Sequence, residues 1–118
     1  MSTNSQIAFA PLGETVVIAA TTSAPTGLQV PVHARLDGQA VGQYRVINSS
    51  TTNTVFLGFG STAALAAANA VAPVAGTPSS AIVLLPSSVE ILRFNTNTFF
   101  SGLAAGASTV YIVQGEGI

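Results

Sequence analysis

Acid, base and ion-pair chemistry in this chain would have to come from Glu14, Asp37, Glu90, Glu116, Arg35, Arg45, Arg93 and His33. Catalysis needs a nucleophile, acid or base held in a pocket by partners. His33 is the only histidine, and no acidic residue stands beside it in a recognisable motif. On the polar side of an alternating run it reads as a surface or interface residue. A metal site needs several nitrogen, oxygen or sulfur ligands. One histidine, four scattered carboxylates and no cysteine do not supply them. The three arginines are well separated and make no basic stripe to track phosphates. Phe59-Gly60-Ser61 opens an alanine-rich run after a glycine, as some anion sites do. Without a P-loop lysine, capping by Ser61 or Thr62 accounts for it. The reading is therefore no enzyme: no catalytic residue, cofactor, metal or nucleic-acid partner.

The scarcity of charge is itself informative. Only 6% of the 118 residues are charged, against about 25% in an average soluble domain. Charge keeps a monomer soluble and unattached. A chain that gives it up is expected to have much of its surface covered by other protein. The composition points to an assembly subunit and to a homo-oligomer, with a dimer as the default and a trimer as the alternative. Apolar residues make up 48% of the chain, yet no apolar stretch approaches the roughly 20 residues that span a bilayer. The first six residues have neither a basic nor an apolar segment and do not read as a signal peptide. The expectation is no membrane partner.

The elements that must position these residues are short. Apolar, β-rich runs recur between turn signals, which argues for a sandwich or barrel. Thr15–Ala20 reads as the first strong strand. Leu28–Leu36 alternates, with Leu28, Val30, Val32, Ala34 and Leu36 on one side and Pro31 marking an edge. Asp37-Gly38 is a tight turn. Gln43–Asn48 and Thr54–Gly60 read as a hairpin joined by the polar loop Ser49–Asn53. Ser61–Ala70 is rich in alanine, a strong helix former, and is stopped by Pro73 and Gly76. So short a helix must lie against the sheet or across a barrel end. Ala81–Leu85 reads as a buried strand. Val89–Phe94 alternates, with Val89, Ile91 and Arg93 opposite Glu90, Leu92 and Phe94. Glu90 and Arg93 thus point to opposite faces; the expectation for either is a charge met across a subunit boundary or a solvated charge that keeps an edge from aggregating. Thr98–Ala104 and Thr109–Gln114 complete about eight strands. The expected fold is one all-β domain over residues 1–118, a jelly-roll-type sandwich with one short helix and a loose N-terminal arm at residues 1–6.

Contact residues follow from the aromatics and the termini. Phe99 and Phe100 are adjacent in a strand, so one ring goes to each face and one is a contact anchor. Ile7 and Phe9 lie two apart in the N-terminal segment. They are either anchors of an arm that orders on a partner or the start of the first strand. The C-terminal residues 115–118 are expected to share in the contact.

Gln43-Tyr-Arg-Val-Ile-Asn48, Val55-Phe-Leu-Gly-Phe-Gly60, Thr62-Ala-Ala-Leu-Ala-Ala-Ala-Asn-Ala70, Leu84-Leu-Pro-Ser-Ser-Val-Glu-Ile91, Phe99-Phe-Ser101 and Val110-Tyr-Ile112 together resemble small virion proteins of tailed bacteriophages. The likeness is to jelly-roll head decoration (cement) proteins, and it covers about two-thirds of the chain. It implies a protein made in the host cytoplasm that sits on the capsid exterior and clamps neighbouring copies of the major capsid protein. It carries no binding residue over to this chain. A receptor- or sugar-binding module on a virion appendage is the competing reading, with Asn53, Asn95 and Asn97 in its loops.

Overall fold

In a computed structural model of the chain, the residues described are 9–11, 13–31 and 42–116. They form nine strands and one helix: β1 Ala10–Pro11, β2 Val16–Ala20, β3 Leu28–Gln29, β4 Gln43–Asn48, β5 Val55–Gly60, α1 Ala63–Asn69, β6 Ile82–Leu84, β7 Val89–Arg93, β8 Phe99–Ala104 and β9 Ser108–Glu116. β1 and β2 both pair antiparallel with β9, with a register change between Pro11↔Gly115 and Val16↔Ile112. They act as one interrupted edge strand. The first sheet then runs β1/β2, β9, β4, β7, and the second runs β3, β8, β5, β6. All pairings within the two sheets are antiparallel, and one isolated parallel bridge joins Thr21 to Leu103. Consecutive strands pass from sheet to sheet except at β5–β6, which is the jelly-roll arrangement.

The period-2 pattern decides what each strand buries. Ile18, Ala20, Tyr44, Val46, Val110 and Ile112 face inward from the first sheet; Val30, Val55, Leu57, Leu84, Phe100 and Ala104 meet them from the second. At one end of this core Tyr44, Phe59, Phe94 and Phe100 make tilted and edge-to-face contacts, with ring centroids 5.0–6.0 Å apart. Such pairs add about 0.5–1.5 kcal/mol each beyond area burial.

β4 and β5 do not form the expected hairpin. β4 lies between β9 and β7, whereas β5 lies between β8 and β6 in the opposite sheet. Alternation is the same for strands that face each other as for strands side by side, so the pattern could not separate the two. Asn48 carries the crossing. It is fully buried, and its Nδ2 donates to the carbonyls of Asn53, Leu84 and Leu85 at 3.0–3.1 Å. Its Oδ1 accepts from the Ser50 amide at 3.1 Å. One side chain thus ties the end of a first-sheet strand to the edge of the second sheet.

Helix α1 covers the outer face of the second sheet. Thr62 caps it, Oγ1 accepting from the Leu65 amide at 3.1 Å. Gly58 and Gly60 let it lie directly on β5. A Cβ on Gly58 would fall 2.3 Å from the Ala66 carbonyl oxygen, and one on Gly60 would fall 2.7 Å from Leu65 Cβ. The alanines of α1 and the glycines of β5 are therefore one feature: two backbones in contact. Asn69 Nδ2 donates to the Phe59 carbonyl at 2.9 Å and fixes the helix along the strand.

Three further expectations shift. β6 is an edge strand: Leu84 is buried, but Val83 and Leu85 are exposed. β3 is the other edge of that sheet, as Pro31 implied, but Leu28 is exposed while Val30 is buried. The C-terminal strand is longer than expected, since Gly115 and Glu116 stay in the ladder with Pro11 and Ala10. The arm at residues 1–6, the Asp37-Gly38 turn and the stretch from Val32 to Leu36 lie outside the described residues.

Candidate functional site

Among the described residues, no three His, Cys, Asp or Glu side chains come together. Glu90, Arg45 and Arg93 are exposed on strands of the first sheet. Glu90 shares the inward parity of Leu92 yet stands in solvent on the edge strand β7, a placement that discourages further strand pairing. His33, Arg35 and Asp37 lie outside the described residues, as does Ile7.

Of the expected contact residues, Phe100 is a correction. It is fully buried in the aromatic cluster, between Tyr44 and Phe94, so it reaches no partner. Phe99 is half-buried and lies in register with Gln29 and Gly60. The alternation that separates the two rings was right; the ring sent outward is Phe99. Phe9 is half-buried and immediately precedes β1.

What the aromatics and termini did not reveal is a row across the outer face of the first sheet. Val17 pairs with Tyr111, Tyr111 with Ile47, and Ile47 with Val89. Residues in register on adjacent strands share a face. The row therefore crosses β2, β9, β4 and β7 without a polar interruption. Val17 is 48% exposed, Tyr111 38% and Val89 52%. The next row holds Val113, Arg45 and Ile91, with Ile91 54% exposed. The only described helix, α1, packs on β5 and β8 of the other sheet. The signal was present in the sequence as odd-numbered apolar residues opposite inward ones: Val17, Ile47, Val89, Ile91 and Tyr111. It could not be assembled without the register.

A cleft lies at the end of the sandwich where β4 begins and β7 ends. Its volume is about 630 Å³, and Phe59, Arg93, Phe94, Asn95 and Thr96 line it. Phe59 and Phe94 are half-buried, with centroids 5.0 Å apart and planes inclined by 55°. The loop below them is tied down. The Tyr44 hydroxyl is shared between the carbonyls of Asn95 and Thr96 at 3.4 and 3.3 Å, and Thr98 Oγ1 donates to Asn95 O at 2.6 Å. Burial pushes the Tyr44 phenol above its ordinary value of 10.0, so it stays a donor at neutral pH. Gly42 closes one wall: its carbonyl accepts from the Phe94 amide at 2.8 Å, and a Cβ there would meet the Phe94 carbonyl oxygen at 2.5 Å.

Comparison with protein-family models, with curated proteins and with solved structures finds no match to this chain.

Proposed function

We propose that this protein is a structural attachment subunit that docks through the outer face of its five-stranded sheet, and that its partner is the shell of a bacteriophage capsid. The observation that carries the docking is the row Val17–Tyr111–Ile47–Val89, apolar, with Val17, Tyr111 and Val89 exposed and Ile47 half-buried, on a molecule with almost no charge. Contiguous exposed apolar surface of this kind marks interaction sites. Tyr111, near its centre, is one of the residue types enriched at binding hot spots. The likeness of residues 43–112 to head decoration proteins supports the capsid exterior as the place and the major capsid protein as the partner.

The mechanism is mass action. A subunit that binds the assembled shell and not its separated parts stabilises the shell. Few ions need desolvating at such a contact, so attachment should depend weakly on salt. Self-association, as a dimer or a trimer, would present the face in several copies and multiply a weak contact. The test is co-sedimentation with empty shells of the same virus, followed by thermal disruption of the shells. Saturable binding and a higher disruption temperature support the proposal. Failure to bind shells at tens of micromolar protein would contradict it.

A further inference from the structure

We propose that the cleft between β7 and the Asn95–Thr98 turn is a second, separate site that takes a carboxylated sugar. It stands whether or not the sheet face docks on a shell. The argument begins with the charge. Arg93 is exposed at the rim, and no carboxylate of the described residues pairs with it. A guanidinium presents a planar fork of donors that matches a carboxylate. One guanidinium, with no second arginine among the described lining residues, matches a single negative charge, not a phosphate with two.

Two inclined phenyl rings, Phe59 and Phe94, line the same cleft. The negative ring face attracts the partly positive C–H groups on one side of a pyranose. Asn95 and Thr96 add an amide and a hydroxyl, which both donate and accept and so suit sugar hydroxyls. The Tyr44 hydroxyl holds the carbonyls of these two residues from beneath. A fixed loop of this kind reduces the ordering cost of binding. The volume lies within the range of about 300–1,000 Å³ typical of small-ligand sites. A flat nucleobase would use the rings but leave the amide and hydroxyl little to read.

The experiment titrates ¹⁵N-labelled protein with trigalacturonic acid and, separately, with its methyl ester, which keeps the rings and loses the charge. Backbone shifts at Gly42, Asn95 and Thr96 report the cleft. The acid should bind there, with the ester about tenfold weaker, as expected for one charge-assisted contact. Arg93→Gln, at an exposed position, should keep the melting temperature and bring acid and ester to equal affinity. Succinate should bind at least tenfold more weakly than the acid, because it brings a carboxylate without a ring. Equal binding of acid and ester by the unaltered protein, succinate binding as well as the sugar, or no cleft shifts with the acid would each overturn the proposal. The wild-type comparison of acid with ester decides the matter even if Arg93→Gln fails to fold.

Discussion

The two outer faces of the sandwich are finished in opposite ways. On the second sheet, β5 offers Gly58 and Gly60, and the chain's own helix α1 presses its alanines onto them. On the first sheet, the corresponding positions hold Val17, Tyr111, Ile47 and Val89, and α1 is not there. Small residues appear where an element of the same chain must approach closely. Branched and aromatic residues appear where the surface is left for something larger. The difference teaches that the exposed apolar row is not leftover core. A face meant for internal covering is built from glycine and alanine, and this one is not.

The largest effect should come from breaking the covered face. Gly58→Val forces the helix backbone away, and overpacking of this kind costs about 3 kcal/mol. A urea melt should show the loss, and Gly58→Ala should lie between the two. Next comes the tie between the sheets. Asn48→Leu leaves the Asn53, Leu84 and Leu85 carbonyls and the Ser50 amide without their partner. A cost of about 2–3 kcal/mol is expected, again read from the urea midpoint. Tyr111→Glu on the uncovered face should change stability by no more than about 0.5 kcal/mol. It should weaken shell binding by about 2 kcal/mol, roughly 30-fold, if Tyr111 is a hot spot.

The smallest effect belongs to the cluster beneath the cleft. Tyr44→Phe should cost about 1 kcal/mol at neutral pH through the lost hydrogen bonds to Asn95 and Thr96. Because burial raises the Tyr44 phenol above 10.0 in the folded state, its contribution is fully present below that ordinary value. It fades as pH rises through the higher folded value. Wild-type stability should therefore fall between pH 9 and pH 11 by more than that of Tyr44→Phe.

Much of the fold was legible because period and punctuation act locally. The β4 bounds, a helix cap at Ser61 or Thr62, the alternation of β7 and the split of Phe99 from Phe100 all follow from side-chain period and turn chemistry. What alternation cannot carry is which strands are neighbours. Gln43–Asn48 and Thr54–Gly60 have the pattern of a hairpin and also the pattern of strands facing across a core. Only long-range pairing with β9 and β8 selects the second. The same missing register hid the docking row, whose members come from four separate strands. It also hid the cleft, because Phe59 and Phe94 meet only after the two sheets close. Burial at the sheet edges was misjudged for a related reason. Val83 and Leu85 are apolar, but an edge strand has a neighbour on one side only.

The central claim is that docking belongs to the bare face and not to the covered one. The direct measurement compares shell co-sedimentation of Ile47→Asp, on the first sheet, with Leu65→Asp, at an exposed position on α1. Leu65→Asp should melt close to wild type, and Ile47→Asp, at a half-buried position on the central strand β4, is compared at a temperature below its own melting transition. Ile47→Asp should lose shell binding and Leu65→Asp should keep it. Loss of binding by Leu65→Asp with retention by Ile47→Asp would place the contact on the helix face and contradict the account.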